Sequence, residues 1–264
     1  MNGNFKSAAF QLILSFFIVV SVGLGEPTHA QSSSHLPGFT VEFSDCVESI
    51  GVTMVSTSRA RTYVPHQFIL AGEGQPVTPL VVRTARCNAV ATAGHEAKTA
   101  AIIQIGAVIV PPDFSGDINN YTIWYSTSES KLATELQRAG INSQLVPTID
   151  YDYRLSSLLS VRVPAPGCPQ LELFGDVHPT ATPGGSFVAN WWQQTGAVVV
   201  KMRTEVPVIK IGTANLTLTT DQSGELGQLI GGLSTGFPII QQFNAFSSAL
   251  MVVSPATSLS ITFP

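Results

Sequence analysis

Charge is scarce in this chain: of 264 residues only 11% are Asp, Glu, Lys or Arg, against roughly 25% in ordinary soluble domains. A net charge of −4 and a pI near 5.7 supply no broad field for polyanions. No basic stripe supplies a local one either, since Arg59, Arg61, Arg83 and Arg86 fall in two separated segments and read as solvated groups or partners of nearby carboxylates. Nucleic acid is therefore not an expected partner. Zinc-type Cys/His spacing and the GxSxG nucleophile elbow are both missing, and the five His residues form no catalytic arrangement by spacing. The residues thus assign no catalytic group, no metal site and no cofactor. Internal repeats, heptads and low-complexity linkers are also missing, so nothing divides the chain after its N-terminal segment.

That segment, residues 1–30, reads as a signal peptide. Lys6 supplies the positive start, residues 8–22 are almost wholly apolar, Gly23, Gly25 and Pro27 break the run, and cleavage is expected after Ala30. An uncleaved anchor is the rival reading, but a run of about 15 residues falls short of the roughly 20 that span a bilayer, and no later segment does better. The expected location is secreted, periplasmic or cell envelope, with no membrane span after cleavage. Residues 31–38 read as a flexible lead-in and 39–264 as a single domain.

What is abundant is Gly, Pro and β-branched residues, which favour extended segments and turns over long helices. Strands are expected over 40–55, 67–71, 79–85, 89–93, 100–110, 121–126, 158–163, 170–174, 197–202, 206–211 and 216–219. A helical turn over 58–63 ends at Pro65. One longer helix is expected over 128–140, where Leu132, Leu136 and Ala139 share a face, Ser128 caps the start and Gly140 ends it. The fold class is α+β, mainly β. Of the three cysteines, Cys46 and Cys87 lie in or beside apolar, strand-like runs and are the expected disulfide, while Cys168 sits in a Pro-Gly turn. Three buried, reduced cysteines are the alternative.

The order of these parts resembles the acetoacetate decarboxylase-like superfamily. The residues that carry the resemblance are the turn ending in Tyr63-Val64-Pro65, the phrase Pro79-Leu80-Val81-Val82-Arg83, the long apolar strand, the strand Tyr121 to Tyr125 with a helix after it, and Val198 to Met202. The chain also resembles a group of exported bacterial proteins carrying Gly116-Asp117-Ile118-Asn119-Asn120-Tyr121 and Val188-Ala189-Asn190-Trp191-Trp192-Gln193. The superfamily resemblance implies a curved, antiparallel, barrel-like sheet with one principal helix around an apolar cavity. It also implies imine chemistry on a pair of adjacent lysines, and this chain has no Lys-Lys pair.

The functional expectation is therefore a protein binding a small apolar or carboxylated molecule in an internal cavity lined by Arg83, Tyr121, Trp124, Trp191 and Lys201. Two alternatives stand beside it: a lyase acting on a β-keto acid, and a structural or interaction protein of the cell envelope. Trp191 and Trp192, adjacent in a strand, are expected to point one into the core and one toward the surface. Asp113, Asp117, Asn119 and Asn120 carry oxygens that suit either a hard cation or their own backbone turn.

Overall fold

The computed structural model describes residues 36–154, 157–164 and 169–256. The signal-peptide segment and Cys168 lie outside them, as does most of the expected lead-in. Thirteen strands form one sheet: β1 (Phe39–Ser56), β2 (Val77–Thr92), β3 (Lys98–Val108), β4 (Ile118–Thr127), β5 (Ser143–Leu145), β6 (Asp150–Arg154), β7 (Leu158–Val163), β8 (Leu171–His178), β9 (Phe187–Thr195), β10 (Val198–Val206), β11 (Lys210–Thr220), β12 (Ser234–Gly236) and β13 (Ile240–Pro255). Three helices accompany them: α1 (Thr57–Ala60), α2 (Ser130–Arg138) and α3 (Glu225–Ile230). Among the described residues no helix is long and apolar enough to cross a membrane.

The sheet closes on itself. Its order runs β1-β2-β3-β4-β9-β10-β13, and β13 pairs back onto β1 from Phe39↔Val253 to Val52↔Ile240, which completes a seven-stranded barrel. All neighbours in this ring are antiparallel except β4 and β9, which run parallel. The first half of β13 also pairs with β11, and from there β8, β7 and β6 extend a second wing.

Two apolar cores lie on opposite faces of the same strands. One contains residues of all seven ring strands and of none of β6, β7, β8 and β11, so it fills the ring: Phe43, Cys46, Ala85, Cys87, Ile102, Tyr125, Trp191, Met202 and Met251 belong to it. The other joins the outward face of the ring to the wing, through Leu80, Val82, Ile103, Ile105, Tyr121 and Trp124 on one side and Leu159, Val161, Leu173 and Leu216 on the other. With both faces covered, β3 and β4 are buried along almost their whole length, which explains the near-continuous apolar run of β3. Alternation of inward and outward residues breaks at one place in β1 and β13 together. Asp45, at φ +51°, lies where both strands show two successive outward residues, and the strands bend there while keeping their later side chains inward.

Helix α2 stops one end of the ring. Leu132, Leu136 and Ala139 join the inner core, as the spacing of apolar residues predicts. The cap differs from expectation: Glu129, not Ser128, accepts from the Leu132 N–H at 2.5 Å, because Ser128 is drawn to the N–H of Ala101 on β3. Gly140 follows the helix at φ +85°, a left-handed conformation that favours glycine. The strand expected over 67–71 is only a single bridge, Leu70↔Ile109, since turns with Pro65 and Gly72 bound it closely.

Candidate functional site

Strand register gathers a polar stripe across the inside of the ring. Arg83 on β2 lies opposite Gln104 on β3, and Gln104 lies opposite Tyr125 on β4. One rung away, Glu48 on β1 lies opposite Asn244 on β13. These positions share a face with Cys46, Ala85 and Ile102, so the side chains meet within the inner core. Arg83 Nε donates to Glu48 Oε2 at 2.8 Å and its Nη1 to Gln104 Oε1 at 3.3 Å, while Asn244 Nδ2 donates to Glu48 Oε1 at 3.1 Å. The Glu48 side chain is only 5% exposed and that of Arg83 16%, so solvent still reaches the guanidinium. Burial pushes the Tyr125 phenol well above its ordinary range, against the opposing pull of Arg83, and it stays a neutral donor at any physiological pH.

Around this stripe the inner wall is apolar and partly open. Ile50, Val108, Phe187, Ala189 and Ile240 pack against the inner core but are only partly buried, and they cluster at the end of the ring away from α2. Gly106 makes room within: a Cβ there would stand 2.8 Å from the Trp191 ring, so the indole lies directly over the β3 backbone. On β4, Asn120 and Thr122 face the same interior, Asn120 opposite Trp191 and Thr122 opposite Gly106.

The five residues expected to line one cavity separate into two groups. Arg83 and Trp191 face the ring interior. Tyr121, Trp124 and Lys201 do not, which corrects the sequence reading. Tyr121 packs against Phe68 with ring centroids 4.9 Å apart and planes tilted by 58°, and Trp124 against Tyr63 at 5.1 Å and 60°, both in the outer core. A bulge between Ile105 and Gly106, which leaves Ile123 unpaired, turns Trp124 outward and Tyr125 inward, a shift that simple alternation could not foresee. Lys201 points outward from β10. Its Nζ lies 2.5 Å from Asp113 Oδ2, 2.7 Å from Ser115 Oγ and 5.0 Å from the centre of the Trp192 ring.

That outer contact belongs to a second polar cluster. Asn119 Oδ1 accepts from the Trp192 indole at 2.9 Å and from Asn190 Nδ2 at 3.2 Å, Asp117 Oδ2 accepts from the Val188 N–H at 2.7 Å, and Asp113 Oδ1 accepts from the Ser115 N–H at 3.1 Å. Of the four residues whose oxygens could have held a cation, Asp113, Asp117 and Asn119 are thus engaged by protein donors and tie the loop after β3 to β9 and β10, while Asn120 faces the ring interior on the other side of β4. Burial raises the Asp113 carboxyl, but Lys201 and Ser115 more than offset this and hold it below the usual carboxylate range. Trp191 and Trp192 are both buried, at 2% and 1% exposure, contrary to the expected division, because β9 is covered on both faces.

Cys46 and Cys87 are directly opposite in β1 and β2 and form a disulfide with an S–S distance of 2.01 Å, its sulfurs in the inner core. Sequence reading did not place Glu48, Gln104, Asn120, Thr122, Tyr125 or Asn244 in the interior. For Glu48 and Gln104 the available signal was a charged or amide residue at a position whose strand neighbours two away carry no polar group.

No protein-family model matches the sequence and no curated protein matches it. Among the solved structures similar to it are the following three. An acetoacetate decarboxylase covers 82% of this chain and 88% of its own length at 10% identity, with a TM-score of 0.52. The acetoacetate decarboxylase of Legionella pneumophila subsp. pneumophila str. Philadelphia 1 covers 97% of this chain and 98% of its own at 10% identity, again with a TM-score of 0.52. An acetoacetate decarboxylase-like enzyme from Sphingomonas wittichii RW1 covers 84% and 93% at 8% identity, with the same TM-score. The likeness is one of fold.

Proposed function

We propose that this chain, whose fold is that of the acetoacetate decarboxylase-like proteins, is an exported binding protein that takes a small molecule into the ring. Apolar walls would surround the ligand, and its polar end would face Arg83, Glu48, Gln104 and Tyr125. The observation that carries this reading is the Glu48–Arg83 contact at 2.8 Å on the inward face, with the guanidinium still reached by solvent. A buried ion pair adds little stability over apolar packing of equal volume. Recognition of a polar group therefore accounts for its retention better than folding does, and barrels commonly use such interiors for ligands. The export part rests on the pattern of residues 1–30.

Imine chemistry on a β-keto acid finds no support in the ring. Of the five lysines, Lys6 is outside the described residues, Lys98 and Lys210 are exposed, Lys131 pairs with Glu135 at 2.8 Å and Lys201 is held on the outer face. Acetoacetate followed by borohydride is expected to leave every lysine unmodified, and a lysine adduct would revive the lyase reading.

Native mass spectrometry of the exported protein tests the binding reading. A small molecule should co-purify and be released on denaturation, and it should be missing from a folded Glu48→Met/Arg83→Met double variant. Retention of the same molecule by that variant, or ligand-induced NMR shifts confined to residues outside the ring, would overturn it.

A further inference from the structure

We infer that the ring selects a neutral molecule with an amide-type edge, such as a carboxamide, lactam or urea, and rejects the matching carboxylate; this rests on the binding reading above. Two independent observations lead there.

The first is charge balance. Among the buried and half-buried residues on the inward face of the seven ring strands the charged ones are Glu48 and Arg83, and they neutralise each other; Lys98, at the α2 end of β3, is exposed. Each is further held by an amide, Gln104 for the guanidinium and Asn244 for the carboxylate. An incoming anion would find its natural partner already paired and would have to displace Glu48, leaving a buried carboxylate without its cation. A neutral ligand disturbs nothing.

The second is a set of unsatisfied polar atoms on the same face. Asn120 is wholly buried, at 0% exposure, yet neither its Nδ2 nor its Oδ1 has a hydrogen-bond partner. Because both ends are unpaired, this holds whichever way the amide is oriented. Thr122 Oγ1, two residues along the same strand, and Asn244 Oδ1, beside the ion pair, are also buried and unpartnered. Buried polar groups are nearly always paired, so four exceptions facing one interior mark where a polar guest completes the bonding, with Asn120 contributing two of them. A carboxamide side chain offering one donor and one acceptor side by side is matched by another group that accepts and donates along one edge. An amide does this; a carboxylate, which only accepts, satisfies Nδ2 and repels Oδ1.

Isobutyramide and isobutyrate, equal in shape and different in charge, serve as probes, with the Asn120 side-chain amide resonances and the melting temperature as readouts. Isobutyramide should shift those resonances and raise the melting temperature. Isobutyrate should bind roughly ten- to a hundredfold more weakly, the discrimination expected for an unpaired buried polar group. An Asn120→Leu variant should lose the isobutyramide response, and Asn120→Asp should transfer preference to the cationic isobutyramidine, a gain that a merely unfolded variant cannot mimic. Tighter binding of isobutyrate in the ring would overturn the inference and leave the binding reading standing. No binding of either probe would overturn the inference, and a lack of any co-purified molecule would then remove the binding reading as well.

Discussion

Asn119 and Asn120 are chain neighbours with opposite fates. Asn119 faces the outer side of β4, where its Oδ1 accepts from an indole and an amide, within a cluster where Asn190 Oδ1 is the one buried side-chain atom left without a partner. Asn120 faces the inside of the ring with both polar atoms free. The same division separates Lys201, clamped by Asp113 and Ser115, from Arg83, paired but still wetted. Outside the ring, polar residues tie a loop to strands; inside it, they lie among the apolar side chains of the inner core. The difference teaches that chemical type says little about role here, because one step along a strand changes which side of a closed wall a residue serves.

The sharpest way to test this contrast is to break one pair on each face. Glu48→Ala should destabilise the protein by about 3–5 kcal/mol in denaturant titration, since it leaves Arg83 largely buried without its counter-charge; Glu48→Met/Arg83→Met should recover most of that loss. Removing the inner-face disulfide as Cys46→Ala/Cys87→Ala should cost about 2–4 kcal/mol by the same measurement, because the bond closes a loop across 41 positions. On the outer face, Asn119→Ala orphans the Trp192 indole N–H and should cost about 1–3 kcal/mol, with a changed tryptophan emission.

The smallest effect is expected at Lys201→Met. Its partner Asp113 is 31% exposed, so the ion pair should contribute no more than about 1 kcal/mol. The sign with pH is definite. The folded-state pKa of Asp113 is depressed, so its contribution is fully present above the unfolded value near ~3.9 and is lost as pH falls through the lower folded value. Melting curves between neutral pH and strong acid should therefore converge for wild type and Lys201→Met only at the acid end. Convergence at neutral pH instead would mean that Asp113 is held by Ser115 alone.

Much of the framework was legible in the chain. The helix over 130–138 announced itself through Leu132 and Leu136, β7 matches the expected 158–163, and the long apolar run became β3. The strand that closes the ring was missed. β13 reads Ile240-Gln-Gln-Phe-Asn-Ala-Phe-Ser-Ser-Ala-Leu-Met, and its inward alternation is interrupted at Ser247-Ser248, so period-two counting sees two weak fragments. β9 was equally hard to assign a buried side, since Trp191 and Trp192 are both covered. Of the site, Arg83 and Trp191 were found; Glu48 was not, because a lone polar residue in a strand reads as an outward one, and Asn120 reads in the sequence as a loop residue whose oxygen suits a cation or a turn.

Local residue chemistry by itself determined the mainly β character, the helix and its glycine stop, and the lack of paired lysines for imine chemistry, since each depends only on side chains close in sequence. Tertiary structure alone decided which polar residues share the ring interior. Glu48, Arg83, Gln104, Tyr125 and Asn244 come from five strands, and their meeting depends on register, on the bulge in β4 and on the closure of β13 against β1, none of which a linear chain encodes at any one position.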